Sequence, residues 1–356
     1  MPASESLWSR VAALPLTIDG YELERLQREV SSDFTRVSTT IRLQGGGTDG
    51  IGEDVTYDTP DQNVLQLAGP LLELAGDWTL SSFCQRLRTL DLWPEPPVRE
   101  ASVGYRRWAY ESAALDLALR QAGRPLHDVL GRTPRPVRFV VSLRLGDPPT
   151  LAPLTDRLDR YPGLQFKLDP TNDWTPELMA QVAATGAVES LDLKGRYSGS
   201  EVDVEADPRQ YRLLLDAFPH AWLEDPHADP RVQALIGSVQ ERVTWDAIIH
   251  GVGDIAALEP APKMVNVKPS RVGGVQAVLD TYHYCEAHGI AMYGGGQFEL
   301  GCGRGQIQYL ASLFHPDGPN DVAPGGYNDP DPPEGLPASP LPAANQTVGF
   351  RWGTDA

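Results

Sequence analysis

The feature that most constrains this 356-residue chain is a series of seven short apolar segments beginning at residue 137. In order they are VRFVVSLRL, GLQFKLD, ESLDLK, AWLED, RVTWD, KMVNVK and GIAMYG, spaced about 20–35 residues apart with helical stretches between them. A strand followed by a helix and a second strand brings the second strand in parallel to the first. Seven such units in succession favour a closed (β/α) barrel over an open sheet.

The chain before residue 137 has another character. Residues 14–59 read as strands and turns: LTIDGYELERL and FTRVSTTIRLQ alternate in part, and GGGTDG joins the second to IGEDVTYDT. Residues 62–90 read as helical. So do 100–122, where YESAALDLALRQAG sets apolar residues at helical spacing and ends at Gly123. The expected division is an α+β capping domain over 1–130, a barrel over 131–325 and a C-terminal tail over 326–356. That irregular tail, rich in Pro, Gly, Asn and Asp, either packs on the capping domain or is disordered.

Five consecutive barrel segments carry charge. Lys167 lies in QFKLD, Asp192 and Lys194 in LDLK, Glu224 and Asp225 end AWLED, Asp246 ends VTWD and Lys268 ends VNVK. A charge in an apolar strand is costly to bury unless it is paired or ligating. The C-terminal strand ends of a barrel are also where its active site is built. One such charge is ordinarily a solvated strand end; five in a row point to a site. Asp192, Glu224 and Asp246 come from three adjacent strands, and three carboxylates suit Mg²⁺, which keeps other positions for water or substrate oxygens. Without a cation they would repel one another. Lys167 and Lys268 flank that trio, so they can face each other across the metal. A partly desolvated lysine beside a dication has its pKa lowered towards neutrality, which fits it for a base.

Composition excludes several other classes. The net charge is −18 and no Lys/Arg block supplies a nucleic-acid footprint. No apolar run approaches the roughly 18 residues of a membrane helix, and the N-terminus lacks the layout of a secretory signal. A cytoplasmic location with no membrane partner is expected. Cys84, Cys285 and Cys302 are far apart and form no CxxC pair, so they read as buried thiols.

These residues resemble the enolase superfamily, in its muconate-lactonizing-enzyme-like branch. GIGEDVTYD is similar to the capping-domain strand signature, AYESAALDLALRQAGRPLHDVLG to the helix and linker entering the barrel, and VNVKPSRVGGV and GIAMYGGGQFELGCG to the sixth and seventh strand regions. The resemblance implies an α/β fold, a modified (β/α)7β TIM-type barrel with an N-terminal α+β capping domain, and homo-oligomers are common in the family. It implies Asp192, Glu224 and Asp246 as metal ligands, Lys167 as the second lysine of the family's Lys-x-Lys motif, and Lys268 as the sixth-strand lysine. The implied chemistry is abstraction of the α-proton of a small-molecule carboxylate, giving an enediolate stabilised by the metal. Racemisation, epimerisation or syn-elimination follows; the region around GGGQFE also resembles methylaspartate ammonia-lyases. Three positions depart from the pattern: Gln165 replaces the first lysine of Lys-x-Lys, Lys194 an asparagine and Ala247 a glutamate. They motivate a second reading, a barrel that keeps its metal and ligand sites without turnover.

Further candidates have ordinary readings beside functional ones. Lys194 either binds a substrate carboxylate or pairs with Asp169 or Asp225. Asp225 either orients a metal ligand or caps a helix. Asp321 reads as a loop residue or as an eighth-strand carboxylate facing substrate. Glu299 reads as a pocket residue in a glycine-rich segment without a Walker pattern. The turn Ser31–Phe34 and the segment Tyr57–Gln62 are candidates for closing over the site.

Overall fold

A computed structural model describes residues 6–31, 34–197, 204–343 and 348–352. The capping domain is built on three antiparallel strands, with β1 (Pro15–Ile18) lying apart and followed by β2 (Gly20–Ser31), β3 (Phe34–Gly45) and β4 (Thr48–Asp54). Helix Ser102–Gln121 lies across β4. Gly50 and Gly52 make this possible: a Cβ on either would stand 2.3 Å and 2.1 Å from the helix carbonyls of Ala113 and Ala109.

The stretch 62–90 departs from its helical reading. A helix covers Thr59–Ala68, then β5 (Gly76–Thr79) pairs antiparallel with β1, and a second helix covers Leu80–Leu87. Gly69, at φ +71°, ends the first helix. Thr79 and Ser82 start the second with reciprocal side-chain bonds to each other's backbone N–H. Periodicity over the whole window hid these two punctuation points.

The seven apolar segments form seven parallel strands: β6 (Val141–Leu143), β7 (Phe166–Leu168), β8 (Val188–Asp192), β9 (Trp222–Glu224), β10 (Val243–Trp245), β11 (Met264–Val267) and β12 (Ala291–Gly294). They neighbour one another in chain order. The short segment at 320–321 closes the ring, because Asn320 bridges Phe139 beside β6 and Asp321 bridges Gly295 beyond β12, both in parallel sense. Asp321 therefore occupies the eighth-strand position, and its reading as a loop residue is corrected. Asn320 pins this closure: its Oδ1 accepts from Gly294 N at 2.7 Å, and its Nδ2 donates to the carbonyls of Arg138 and His315, each at 2.9 Å.

Residues after the closure split between both units. Arg157 donates to the carbonyls of Tyr327 and Asp329 on the barrel side. Phe350 N and Arg351 bond the buried carboxylate of Asp116 on the capping helix. Among the described residues no helix is long and apolar enough to cross a membrane.

Candidate active site

Register decides which side chains meet. Lys167 pairs with Ser190, Asp192 with Glu224, Glu224 with Thr244, Thr244 with Met264 and Asn266 with Tyr293. Side chains two apart share a strand face. Lys167, Asp192, Glu224, Asp246, Lys268 and Tyr293 thus point inward, towards the same end of the barrel.

They form one network. Lys167 Nζ lies 2.7 Å from Glu224 Oε1 and 3.3 Å from both Asp192 Oδ2 and Asp321 Oδ2. Lys268 Nζ donates to Asp246 Oδ2 at 2.8 Å. Lys194 Nζ bonds Asp192 Oδ2 and stands 3.5 Å from Asp169 Oδ2. Of the two pairings expected for Lys194, Asp169 is present, and Asp192 is the closer partner. One oxygen each from Asp192, Glu224 and Asp225 lie within 4.8 Å of one another, all buried. That donor set fits a divalent cation.

Asp246 stands outside this tight group. Arg271 Nη1 donates to its Oδ1 at 2.5 Å, and Tyr197 Oη to its Oδ2 at 3.1 Å. Asp225 Oδ1 accepts from Asp246 N at 2.9 Å and its Oδ2 from Ala247 N at 2.8 Å. Asp225 therefore orients the backbone that carries Asp246. It caps no helix: the next helix, Pro230–Ile236, is capped by Asp229.

Electrostatics follow from this packing. Burial opposes the charge on Lys167, but Glu224, Asp321 and Asp192 outweigh it and hold the ammonium well above its ordinary pKa. Burial likewise opposes ionisation of Asp192, and Lys194 and Lys167 reverse this, so the carboxyl sits below its usual range. Burial pushes Glu224 well up despite Lys167, and pushes Asp225 up to about 6 with help from Asp246 and Asp192. The protein's own groups thus move Lys167 opposite to the lowering expected of a base.

The segment after β12 frames the other side. A Cβ on Gly294 would meet His315 at 2.8 Å, on Gly295 the Lys268 stem at 2.7 Å, and on Gly296 the Glu299 carboxylate at 2.0 Å. The three glycines let the backbone approach the site. Glu299 Oε1 accepts from Gln297 N at 2.7 Å, and its Oε2 lies 3.3 Å from Arg304. No phosphate cradle results, because Glu53 of the capping domain takes the N–H groups of Leu300, Gly301 and Gly303 ahead of and within the next helix. Asn266 Oδ1 and Nδ2 and Gln297 Nε2 are buried without a hydrogen-bond partner among the described residues. Such groups are costly unless a ligand or water satisfies them.

From the capping domain, Tyr57 lies under the Arg36 guanidinium, 4.5 Å from its ring centre, and within electrostatic reach of Glu299, Arg271 and Lys194. Gln62 instead bonds Thr39, Asp54 and Thr56 inside the cap. Ser32 and Asp33 of the other candidate turn lie outside the described residues. Sequence reasoning missed Arg271, Tyr197 and Tyr293, whose hydroxyl bonds Glu224. Arg271 carried a signal: it stands three residues after Lys268 in the helical turn Pro269–Val272, and so on nearly the same side.

The fold and site define a capped (β/α) barrel with a cationic and anionic network at one end. Residues 9–129 and 133–329 match the N-terminal and C-terminal domain models of a domain of unknown function, DUF8230. An N-succinylamino acid racemase from Amycolatopsis sp is 30% identical over 87% of this chain and 86% of its own length. An o-succinylbenzoate synthase from Bacillus subtilis (strain 168) is 28% identical over 60% of this chain and 57% of its own. The structure of a dipeptide epimerase from Methylococcus capsulatus complexed with Mg ion superposes with a TM-score of 0.62 at 20% identity, covering 84% of this chain and 86% of that one. The chain belongs to the DUF8230 family, its relatives are racemases and synthases with structural neighbours from the enolase superfamily, and it is an isomerase or lyase of the proton-abstracting kind.

Proposed function

We propose that the protein racemises or epimerises a carboxylate substrate by removing and returning the proton on its α-carbon. The observation that carries this reading is the pair Lys167 and Lys268. They are delivered by β7 and from the end of β11 into one carboxylate network, four strands apart around the ring. Two bases on separate sides of a planar intermediate are what a 1,1-proton transfer needs; an elimination needs one.

Asp192 and Glu224 of the tight group would hold the metal, proposed to be Mg²⁺, with Asp246 beside them as the third carboxylate of the trio. Asp225 fixes the backbone of Asp246 while Arg271 and Tyr197 hold its side chain. Tyr293 orients Glu224. When bound, a dication would offset the charge that develops on the substrate carboxylate and would oppose the positive charge on Lys167. Lys167 accepts the proton from one face of the α-carbon and Lys268 supplies one to the other; the reverse reaction exchanges these roles. Glu299, Asp321 and Lys194 border the substrate, with Tyr57 supplied from the cap. The relatives' names make N-acylated amino acids the first substrate class to screen.

The test incubates the Mg²⁺-loaded enzyme in deuterated water with single enantiomers and follows α-deuteration and chirality together. Deuteration with inversion, lost in Lys167→Ala and in Lys268→Ala, is the expected outcome. Loss of water or ammonia from the substrate would replace this reading with elimination. Tight ligand binding without exchange across the library would mark a binding barrel.

A further inference from the structure

Lys194 sits where two cations compete for one carboxylate. Its backbone is fixed in the left-handed region at φ +53°, its N–H donates to Asp192 Oδ1 at 3.3 Å, and the next residue's N–H bonds the carbonyl of Asp225. Only the flexible side chain has freedom. Its ammonium now contacts Asp192 Oδ2, an oxygen of the carboxylate that belongs to the tight donor group with Glu224 and Asp225. A dication seated on that carboxylate and an ammonium in contact with it repel strongly at such range.

A second seat exists on the other side. Asp169 Oδ2 is 3.5 Å from Nζ, and Asp169 Oδ1 is buried with no hydrogen-bond partner among the described residues. Asp169 and Lys194 both line a cavity of about 320 Å³ bounded by Arg144, Thr171 and Trp174, and Arg144 Nε donates to Asp169 Oδ2 at 3.2 Å, leaving Oδ1 as the open acceptor. We propose that Lys194 is a tethered counter-ion to Asp192 that a divalent cation displaces, transferring the ammonium to Asp169 at the cavity edge. Metal occupancy is thereby linked to positive charge in the cavity. This rests on the reading that the carboxylates hold a metal.

The experiment titrates Mg²⁺ and Mn²⁺ alone into the full chain by calorimetry. It compares the parent with Lys194→Met, Lys194→Gln, Asp169→Asn and the double variant Lys194→Met/Asp169→Asn, with thermal unfolding to check each fold. Removing the competing cation should tighten metal binding about tenfold or more in both Lys194 variants, by the coupling expected of two ions sharing a site. Asp169→Asn should weaken binding in the parent background and have little effect once Lys194 is gone, which is the signature of a shared partner. Equal metal affinity in the parent and both Lys194 variants overturns this proposal and leaves the proposed function standing. Absence of binding in every protein overturns both. Binding only in the Lys194 variants supports the competition in its extreme form.

Discussion

The seam between cap and barrel and the mouth of the barrel both bury ionisable side chains, and they satisfy them in opposite ways. At the seam the partners are mostly backbone groups. Arg36 donates to five carbonyl oxygens, those of Val37, Val55, Thr56, Gln297 and Phe298. Glu53 accepts from three N–H groups and from Ser38. At the mouth the partners are mostly other ionisable side chains from different strands. Lys167 is shared by three carboxylates, and Asp246 is divided between Lys268 and Arg271. Backbone partners cannot move away without unfolding. Side-chain partners can be exchanged for a metal or a substrate. The seam therefore fixes structure, and the mouth keeps charge available for chemistry.

The largest effect should separate the two regions by readout. Lys268→Ala should slow α-proton exchange roughly 10²–10⁴-fold, as removal of a general base does, while the metal-loaded protein unfolds at nearly the parent temperature. A variant that lost stability in step with activity would erase the distinction. At the seam, Arg36→Met should cost about 3 kcal/mol or more in urea unfolding, because it leaves several buried carbonyl oxygens without their donor at about 1–3 kcal/mol each. A loss below about 1 kcal/mol would show that the seam is not structural.

The barrel's closing seam extends the comparison to a titrating group. Burial pushes His315 down from 6.5 to about 4, against the hydrogen bond that His315 Nδ1 donates to Asn320 Oδ1, which favours its charge. The folded state therefore disfavours the proton relative to the unfolded chain. Its contribution is complete above pH 6.5 and is lost as pH falls towards 4. The slope should approach about 1.4 kcal/mol per pH unit, roughly 3 kcal/mol in all. Unfolding free energies measured from pH 7 to pH 4 should show this in the parent and a flatter profile in His315→Gln. Identical profiles would remove His315 from the account. The smallest effect is expected at Asp225→Asn, which keeps one of two backbone acceptors and should cost about 1–2 kcal/mol. Its metal affinity should fall more than its stability. The opposite ranking would place Asp225 with the seam rather than the mouth.

Much of the site was legible because strand ends in a parallel barrel converge. Lys167, Asp192, Glu224, Asp246 and Lys268 interrupt apolar segments that otherwise have no use for charge. Their partners were harder to read. Tyr293 looks like any aromatic strand residue, and Tyr197 stands in a loop after β8; only register and loop path bring them to Glu224 and Asp246. The strand Gly76–Thr79 was invisible for a related reason, since its pairing partner β1 lies some sixty residues away in the chain.

By itself the sequence determined the seven-unit barrel, the cap ahead of it and the ionisable groups that meet at one end, because hydrophobic period and the cost of burying charge act locally. Tertiary structure decided the rest: that Asp321 closes the ring, that Asp225 holds backbone instead of capping a helix, and that Lys194 rests on Asp192 within reach of Asp169. These depend on distances between segments far apart in the chain, and a carboxylate's partner is set by which neighbour the fold brings within a few ångströms.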